Sequence, residues 1–340
     1  MLALPCFIIF PVHFARLKGI FKTLWPIAAI GAFFALSDIW GGGPGFDAGE
    51  KAFRHLIALL FFLIAVMLVE RPFDLFSKIL PLIVCAASIN VVVSSILFYL
   101  DNPFANRLRG FNDFQVSTLL AALYGWSFLI SAFLFLKAPT STKKALYGFQ
   151  CFLLLFGILL TETKTPAISL FIAATYYAFS IGKKRLAAGA LACLVAASII
   201  PFLFKDVEAV RFITIIYRFE LWKFLLSQLD SHWVLGWGKG AEQGWTIMGH
   251  YHNHSHNVYI GTLYFHGIVG LSLILAAVFT LYRRMAPDSN NILPLTLTTY
   301  MLATFLIDVQ EVFVPPNVLW LLLWFPIAAM LGRRTSLDAF

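Results

Sequence analysis

Tyr251-His252-Asn253-His254-Ser255-His256-Asn257, running directly into the strongly apolar segment from Val258 to Leu281, decides how this chain folds. The apolar run is as long as a helix needs to cross a bilayer, roughly 20 residues. Four of the eight histidines (His250, His252, His254, His256) crowd into seven residues, 250–256, just before it. A membrane helix therefore opens where the chain concentrates side chains that titrate near neutral pH. Such histidines serve either as half-exposed interfacial residues or as a general base.

Composition extends this reading to the whole chain. Residues are 60% hydrophobic and only 12% charged, with 35 phenylalanines, and mean hydropathy is +0.83. A soluble surface of this length needs about twice that charge. Apolar runs separated by short polar punctuation lie near 3–14, 20–38, 52–69, 76–99, 114–136, 145–160, 166–181, 186–204, 256–281, 291–308 and 317–332. Backbone groups in lipid must be paired within the chain, so these runs are helices. The expectation is an all-α, polytopic membrane bundle of about 11 spans, with one long external loop containing amphipathic helices. Its parts are N-terminal transmembrane helices over 1–204, a loop over 205–255 and C-terminal transmembrane helices over 256–340.

Basic residues orient the bundle. Arg16, Lys18, Lys22, Arg71, Lys78, Lys137, Lys143, Lys144, Lys183, Lys184, Arg185, Arg283, Arg284, Arg333 and Arg334 fall in one set of short loops. The opposite short loops hold only Lys51, Arg54, Arg107, Arg109 and Lys164. The positive-inside rule makes the first set and the C-terminus cytoplasmic, and puts the long loop and the histidines on the periplasmic side of a bacterial inner membrane. An odd number of spans then places Met1 outside before a run too short to cross comfortably, which leads to the expectation that the chain begins inside what was once a longer protein. That first run also lacks the basic start and small-residue cleavage site of a signal peptide.

The net charge of +8 is thus topology, with no basic run carrying interleaved aromatics, so nucleic acid is not expected as a partner. Cys6, Cys85, Cys151 and Cys193 lie in separate apolar runs without metal-ligand spacing and read as packing residues.

The long loop has its own pattern. Tyr217-Arg218-Phe219-Glu220-Leu221-Trp222 belongs to an amphipathic helix on the membrane face that ends near Asp230. His232-Trp233-Val234-Leu235-Gly236-Trp237-Gly238-Lys239-Gly240 reads as a glycine-rich turn. The order RFELW, HWVLGWGKG, HSHN and then a helix opening YIGTLYFHGIVGL resembles the core of the O-antigen ligase and O-antigen polymerase superfamily. Arg107-Leu108-Arg109-Gly110-Phe111-Asn112-Asp113 is similar to that family's basic external loop, and Leu160-Thr161-Glu162-Thr163-Lys164-Thr165 to its short Thr-x-(Ser/Thr)-Arg turn. Lys164 departs from the usual arginine, keeping the charge but losing the bidentate fork.

The resemblance implies an enzyme that takes a glycan from an undecaprenyl diphosphate-linked donor and moves it, outside the cytoplasm, to an acceptor hydroxyl such as a sugar of lipid A-core, releasing the lipid diphosphate. Positive groups must then hold the departing diphosphate and a base must accept the hydroxyl proton. Arg218, Lys164, Arg109 and Arg107 are the diphosphate candidates, His256 the base and His254 its neighbour. Each has a plainer reading. Arg218 snorkels to headgroups, Lys164 pairs with Glu162 or anchors a helix end, Arg107 and Arg109 anchor at the interface, and His250 and His252 are solvated. His254 and His256 alternate like zinc ligands, but no nearby carboxylate or cysteine completes a set, so neither metal nor cofactor is expected. Joining of glycan repeats, or transfer to protein hydroxyls, is the nearest alternative chemistry. A transporter or flippase for lipid-linked glycan is the alternative class, expected to show broken helices or mid-membrane charge.

Overall fold

The structure, a computed structural model, describes residues 14–41, 53, 72–103, 105, 107–110, 116–189, 191–192, 209–241, 244–285, 291–308, 318 and 320–330. The spans expected near 3–14 and 52–69, and most of that near 186–204, lie outside the described residues.

Eight α-helices carry the fold among the described residues: α1 (Phe14–Trp40), α2 (Pro72–Asp101), α3 (Ser117–Lys137), α4 (Ser141–Leu160), α5 (Lys164–Ser180), α6 (Ala209–Ser227), α7 (Val258–Arg284) and α8 (Ile292–Phe305). A π-helical turn, Trp320–Trp324, follows. Lys78–Asp101, Ser117–Lys137, Ser141–Leu160 and Val258–Arg283 are each long and apolar enough to cross a membrane, which makes this a multi-pass membrane protein. Their outer faces are greasy: Leu82, Leu100, Phe152, Leu159 and Phe279 are all exposed, as lipid-facing side chains must be.

The inner faces build one core. α3 packs on α4, α5 on α8, and α1 on α7. Tyr124, Trp126 and Tyr300 are fully buried between them. Hydroxyls inside the bundle are returned to their own helix: Thr296, Thr298, Thr299 and Thr304 donate to carbonyls four residues back, at 2.7 to 2.9 Å. This is how polar side chains are tolerated where water is absent.

Two findings depart from the all-α expectation of unbroken helices. A β-hairpin interrupts the loop over 205–255, β1 (Trp245–Ile247) pairing antiparallel with β2 (His250–His252), so that Trp245 faces His252 and Ile247 faces His250. Three-residue strands with a Met248-Gly249 turn at positive φ carry too weak a periodicity to be read ahead. The second is a break inside α7. Gly267 is non-helical there, with φ 62 and ψ −168. The glycine-rich segment 233–240 docks into the gap. Trp237 and Gly238 N–H groups donate to the carbonyls of Tyr264 and Phe265 at 2.9 and 2.8 Å, and Ile268 and Val269 N–H groups donate back to Trp233 and Val234 at 2.8 and 3.3 Å. The inserted loop thus takes the hydrogen bonds that the broken helix cannot make for itself. A Cβ on Gly267 would sit 2.2 Å from the Val234 carbonyl oxygen, and one on Gly236 2.5 Å from the His266 nitrogen. These glycines allow two backbones to touch.

Candidate active site

The histidine segment is anchored at both ends before its rings are considered. Asn257 caps α7, its Oδ1 accepting from the Tyr259 and Ile260 N–H groups at 2.9 and 3.0 Å. Its Nδ2 donates to the Leu306 carbonyl at 2.8 Å, fastening the start of α7 to the end of α8. From the other side, Trp222 Nε1 of α6 donates to the Ser255 carbonyl at 2.9 Å. Between these ties His256 is held at φ 53, a left-handed conformation that costs a non-glycine residue about 1–3 kcal/mol and concentrates at functional positions.

That strained backbone turns His256 toward a carboxylate. Its Nδ1 lies 3.6 Å from Asp308 Oδ1, with the Asp308 side chain 7% exposed and that of His256 23%. The separation is longer than a hydrogen bond, but apo catalytic contacts commonly tighten when substrate binds. Directing Nδ1–H at the carboxylate leaves Nε2 as the basic nitrogen. His254 lies beside it with ring centroids 3.8 Å apart. Its Nδ1 accepts the His256 backbone N–H at 3.2 Å. Burial first, then the charge of His256, pushes the His254 pKa down to about 4. It is neutral at pH 7, and the bond to Nδ1 assigns its proton to Nε2, which makes it a hydrogen-bond donor.

Cations surround this pair. Arg218 of α6 donates from Nη1 to the Ile307 carbonyl at 2.8 Å, adjacent to Asp308. It therefore points into the protein, not out to headgroups. A guanidinium has five N–H donors, and the described residues take one of Arg218's in a hydrogen bond. Arg107 reaches the same corner from the α2–α3 loop, donating from Nε to the Thr161 carbonyl at 3.1 Å and from Nη2 to Thr163 Oγ1 at 3.3 Å. Leu108, fully buried, adds a backbone bond to Leu160 at 2.8 Å. Burial and the nearby Arg109 press the Arg107 pKa down, Asp308 and Glu162 oppose this, and Arg218 presses further. The group stays charged, as a guanidinium in protein does. Those mutual influences place Arg107, Arg109, Arg218 and Asp308 within electrostatic reach of one another.

The remaining predicted residues stand at the rim. Arg109 is exposed two positions from Arg107, and Lys164 is exposed as the first residue of α5, directly after Thr163. His250 and His252 are on the hairpin, not in simple solvated loop. The His250 ring sits 4.3 Å from that of Tyr217, and His252 lies 5.8 Å from His256. Burial, then His256, lowers the His252 pKa.

Residues 149–275 match the family model for O-antigen ligase. An O-antigen ligase of Pseudomonas aeruginosa is 29% identical over 311 residues, covering 89% of this chain and 75% of that protein. Over these residues the chain is similar to O-antigen ligases. Within the matched segment fall Lys164, Arg218, His254 and His256, whereas Arg107, Arg109 and Asp308 lie outside it and are brought beside those residues by the fold.

Asp308 corrects one expectation. The sequence offers the histidines no nearby carboxylate, yet ligand atoms of His254, His256 and Asp308 all lie within 4.8 Å of one another in the fold. In sequence Asp308 closes the apolar run of α8, a place where a charge ordinarily marks only the edge of a span. Its position, 52 residues beyond His256, gave no spacing signal. A carboxylate at the far end of the span after the histidine helix is the available clue.

Proposed function

We propose that this protein is a ligase-type glycosyltransferase of lipopolysaccharide assembly, working on the periplasmic face of a bacterial inner membrane, with its C-terminus cytoplasmic. The donor is a glycan on undecaprenyl diphosphate and the acceptor a sugar hydroxyl of lipid A-core. The part of the chain over 205–255 carries the recognition elements between two sets of transmembrane helices, 1–204 and 256–340.

In the proposed reaction the acceptor oxygen forms a bond to the anomeric carbon of the glycan while the bond from that carbon to the diphosphate oxygen breaks. His256 Nε2 takes the hydroxyl proton, and Asp308 stabilises the imidazolium that results. The electron pair leaves on undecaprenyl diphosphate, where Arg218 and Arg107 meet the developing charge, with Arg109 and Lys164 at the rim. His254, neutral and carrying Nε2–H, is placed to donate a hydrogen bond. The observation that carries this reading is the 3.6 Å pairing of His256 with the buried Asp308 beside the inward-turned Arg218.

Two features bear on the alternatives. α7 is broken, as a transporter helix would be, but the groups freed at Gly267 bond to the 233–240 loop and so are not offered to a cargo. Glu220 pairs with Lys223 at 2.7 Å on the exposed side of α6, so it does not join Asp308 in a carboxylate pair for magnesium. With Arg218 and Arg107 meeting the diphosphate charge, the proposed chemistry needs no metal. The test is a reconstituted reaction of purified protein in liposomes with undecaprenyl diphosphate-linked glycan and lipid A-core, with and without EDTA. Product formation that survives chelation is expected. Activity lost to EDTA and restored by magnesium or manganese would overturn the cation clamp, and glycan joined only to glycan would make this a polymerase.

A further inference from the structure

We propose that His254, His256 and Asp308 form an inhibitory site for a borderline divalent transition metal, zinc above all. The proposal rests on the functional reading of the same residues and adds to it a ligand class that the reaction does not need.

The donor set is the first argument. Two imidazoles and one carboxylate, with a remaining position for water, match the three-ligand zinc sites of proteins. Nitrogen donors of this kind favour zinc, cobalt, nickel or copper, whereas magnesium and calcium seek oxygen alone. Geometry is the second. Around a tetrahedral zinc with bonds of about 2.0–2.1 Å, neighbouring donors stand about 3.3–3.5 Å apart. His256 Nδ1 and Asp308 Oδ1 are already 3.6 Å apart, and all three ligand atoms fall within 4.8 Å. Closing the set asks for small side-chain rotations, not movement of helices.

The surroundings both help and oppose. Asn257 and Trp222 fix the backbone that presents the two histidines, at Leu306 and Ser255 respectively. Against this, the Arg218 and Arg107 guanidiniums repel a cation, and where His254 ligates through Nδ1 the metal replaces its 3.2 Å bond from the His256 N–H. Those costs make the site reversible, unlike a closed structural zinc centre. Once bound, the ion occupies the nitrogen that faces Asp308 and withdraws the carboxylate from the imidazolium. His256 can then no longer work as the base, and transfer stops.

The experiment uses untagged, chelator-treated protein with cobalt(II) as the spectroscopic probe and zinc as the inhibitor. Expected is one cobalt per protein with visible ligand-field absorption. His254→Gln and Asp308→Asn should each weaken uptake at least about 10-fold, since even outer-shell partners are worth about 10–100-fold, while His252→Ala keeps it. His254→Cys should add a thiolate-to-cobalt charge-transfer band absent from wild type, which a merely misfolded variant cannot produce. Zinc should abolish glycan transfer and EDTA restore it. No cobalt absorption, or absorption unchanged in all the ligand variants, would overturn the proposal. A protein that binds cobalt in this pattern but transfers no glycan when metal-free would leave the metal site standing and sink the functional reading instead. Transfer indifferent to zinc overturns the inhibitory role alone.

Discussion

Replacing Asp308 with asparagine removes one negative charge while keeping the side chain's shape, and the effect can be worked from the structure. The carboxylate lies 3.6 Å from His256 Nδ1 and is 7% exposed. At an effective dielectric of about 20, an imidazolium and a carboxylate at that distance attract by about 4–5 kcal/mol. The neutral imidazole of the resting site feels little of this, so the attraction appears as the proton moves onto His256, which is where it lowers the barrier. Arg107 and Arg218 draw off part of the Asp308 field, leaving about 3–4 kcal/mol, or a rate loss of about 10²–10³. Asp308→Asn should therefore lower kcat by that factor with donor KM little changed, measured by initial rates with purified donor and acceptor in liposomes. A variant that folds and transfers within about threefold of wild type would refute the dyad. So would a loss confined to KM, which would make Asp308 a binding residue.

Three other perturbations follow from the same geometry. Arg218→Ala should be nearly inactive and Arg218→Lys only partly restored, because an ammonium cannot both hold the Ile307 carbonyl and grip a diphosphate in a bidentate way; Lys164→Arg at the rim should be tolerated, and equal rates for Arg218→Lys and wild type would reduce Arg218 to an anchor. His254 titrates near 4 when folded, chiefly through burial, against about 6.5 when unfolded. Between those values the unfolded chain binds a proton that the folded one does not, so stability should fall as pH drops from about 6.5 toward 4 and be indifferent to this residue above that. Melting temperatures at pH 7 and pH 5 should differ more for wild type than for His254→Gln, and equal differences would contradict the burial. Gly267→Ala should fail to fold or lose most of its thermal stability, since its Cβ would lie 2.2 Å from the Val234 oxygen at a positive φ; Gly189→Ala, with nothing within 4 Å, should be neutral, and parity between the two in a detergent melting assay would remove the docked loop from the account.

Much of this was legible because membrane chemistry writes itself into composition. The apolar runs near 76–99, 114–136, 145–160 and 256–281 became helices long enough to cross, with ends shifted by a few residues, since lipid leaves a backbone no other choice. The histidines, Arg218 and the Arg107 loop announced themselves as costly polar groups at an apolar boundary. What was not legible was juxtaposition. Asp308 belongs to the site only because Asn257 ties the start of α7 to the end of α8, and no local periodicity encodes that tie. The hairpin was hidden because its strands are only three residues each, too short for an alternating pattern to register. The break at Gly267 was hidden because the hydrogen bonds that stabilise it come from a distant segment, the 233–240 loop that fills the gap in α7.

His256 is the base on which the proposed mechanism depends, the group that deprotonates the acceptor. The most direct test is single-turnover transfer by His256→Ala, reconstituted with saturating donor and acceptor beside wild type of equal folding and donor affinity. General-base removal typically costs about 10²–10⁴ in rate. The expected result is a loss in that range, with donor binding retained through the arginines and with the remaining rate rising as hydroxide replaces the missing base at higher pH. Near-wild-type transfer by a folded His256→Ala protein would contradict the central claim outright.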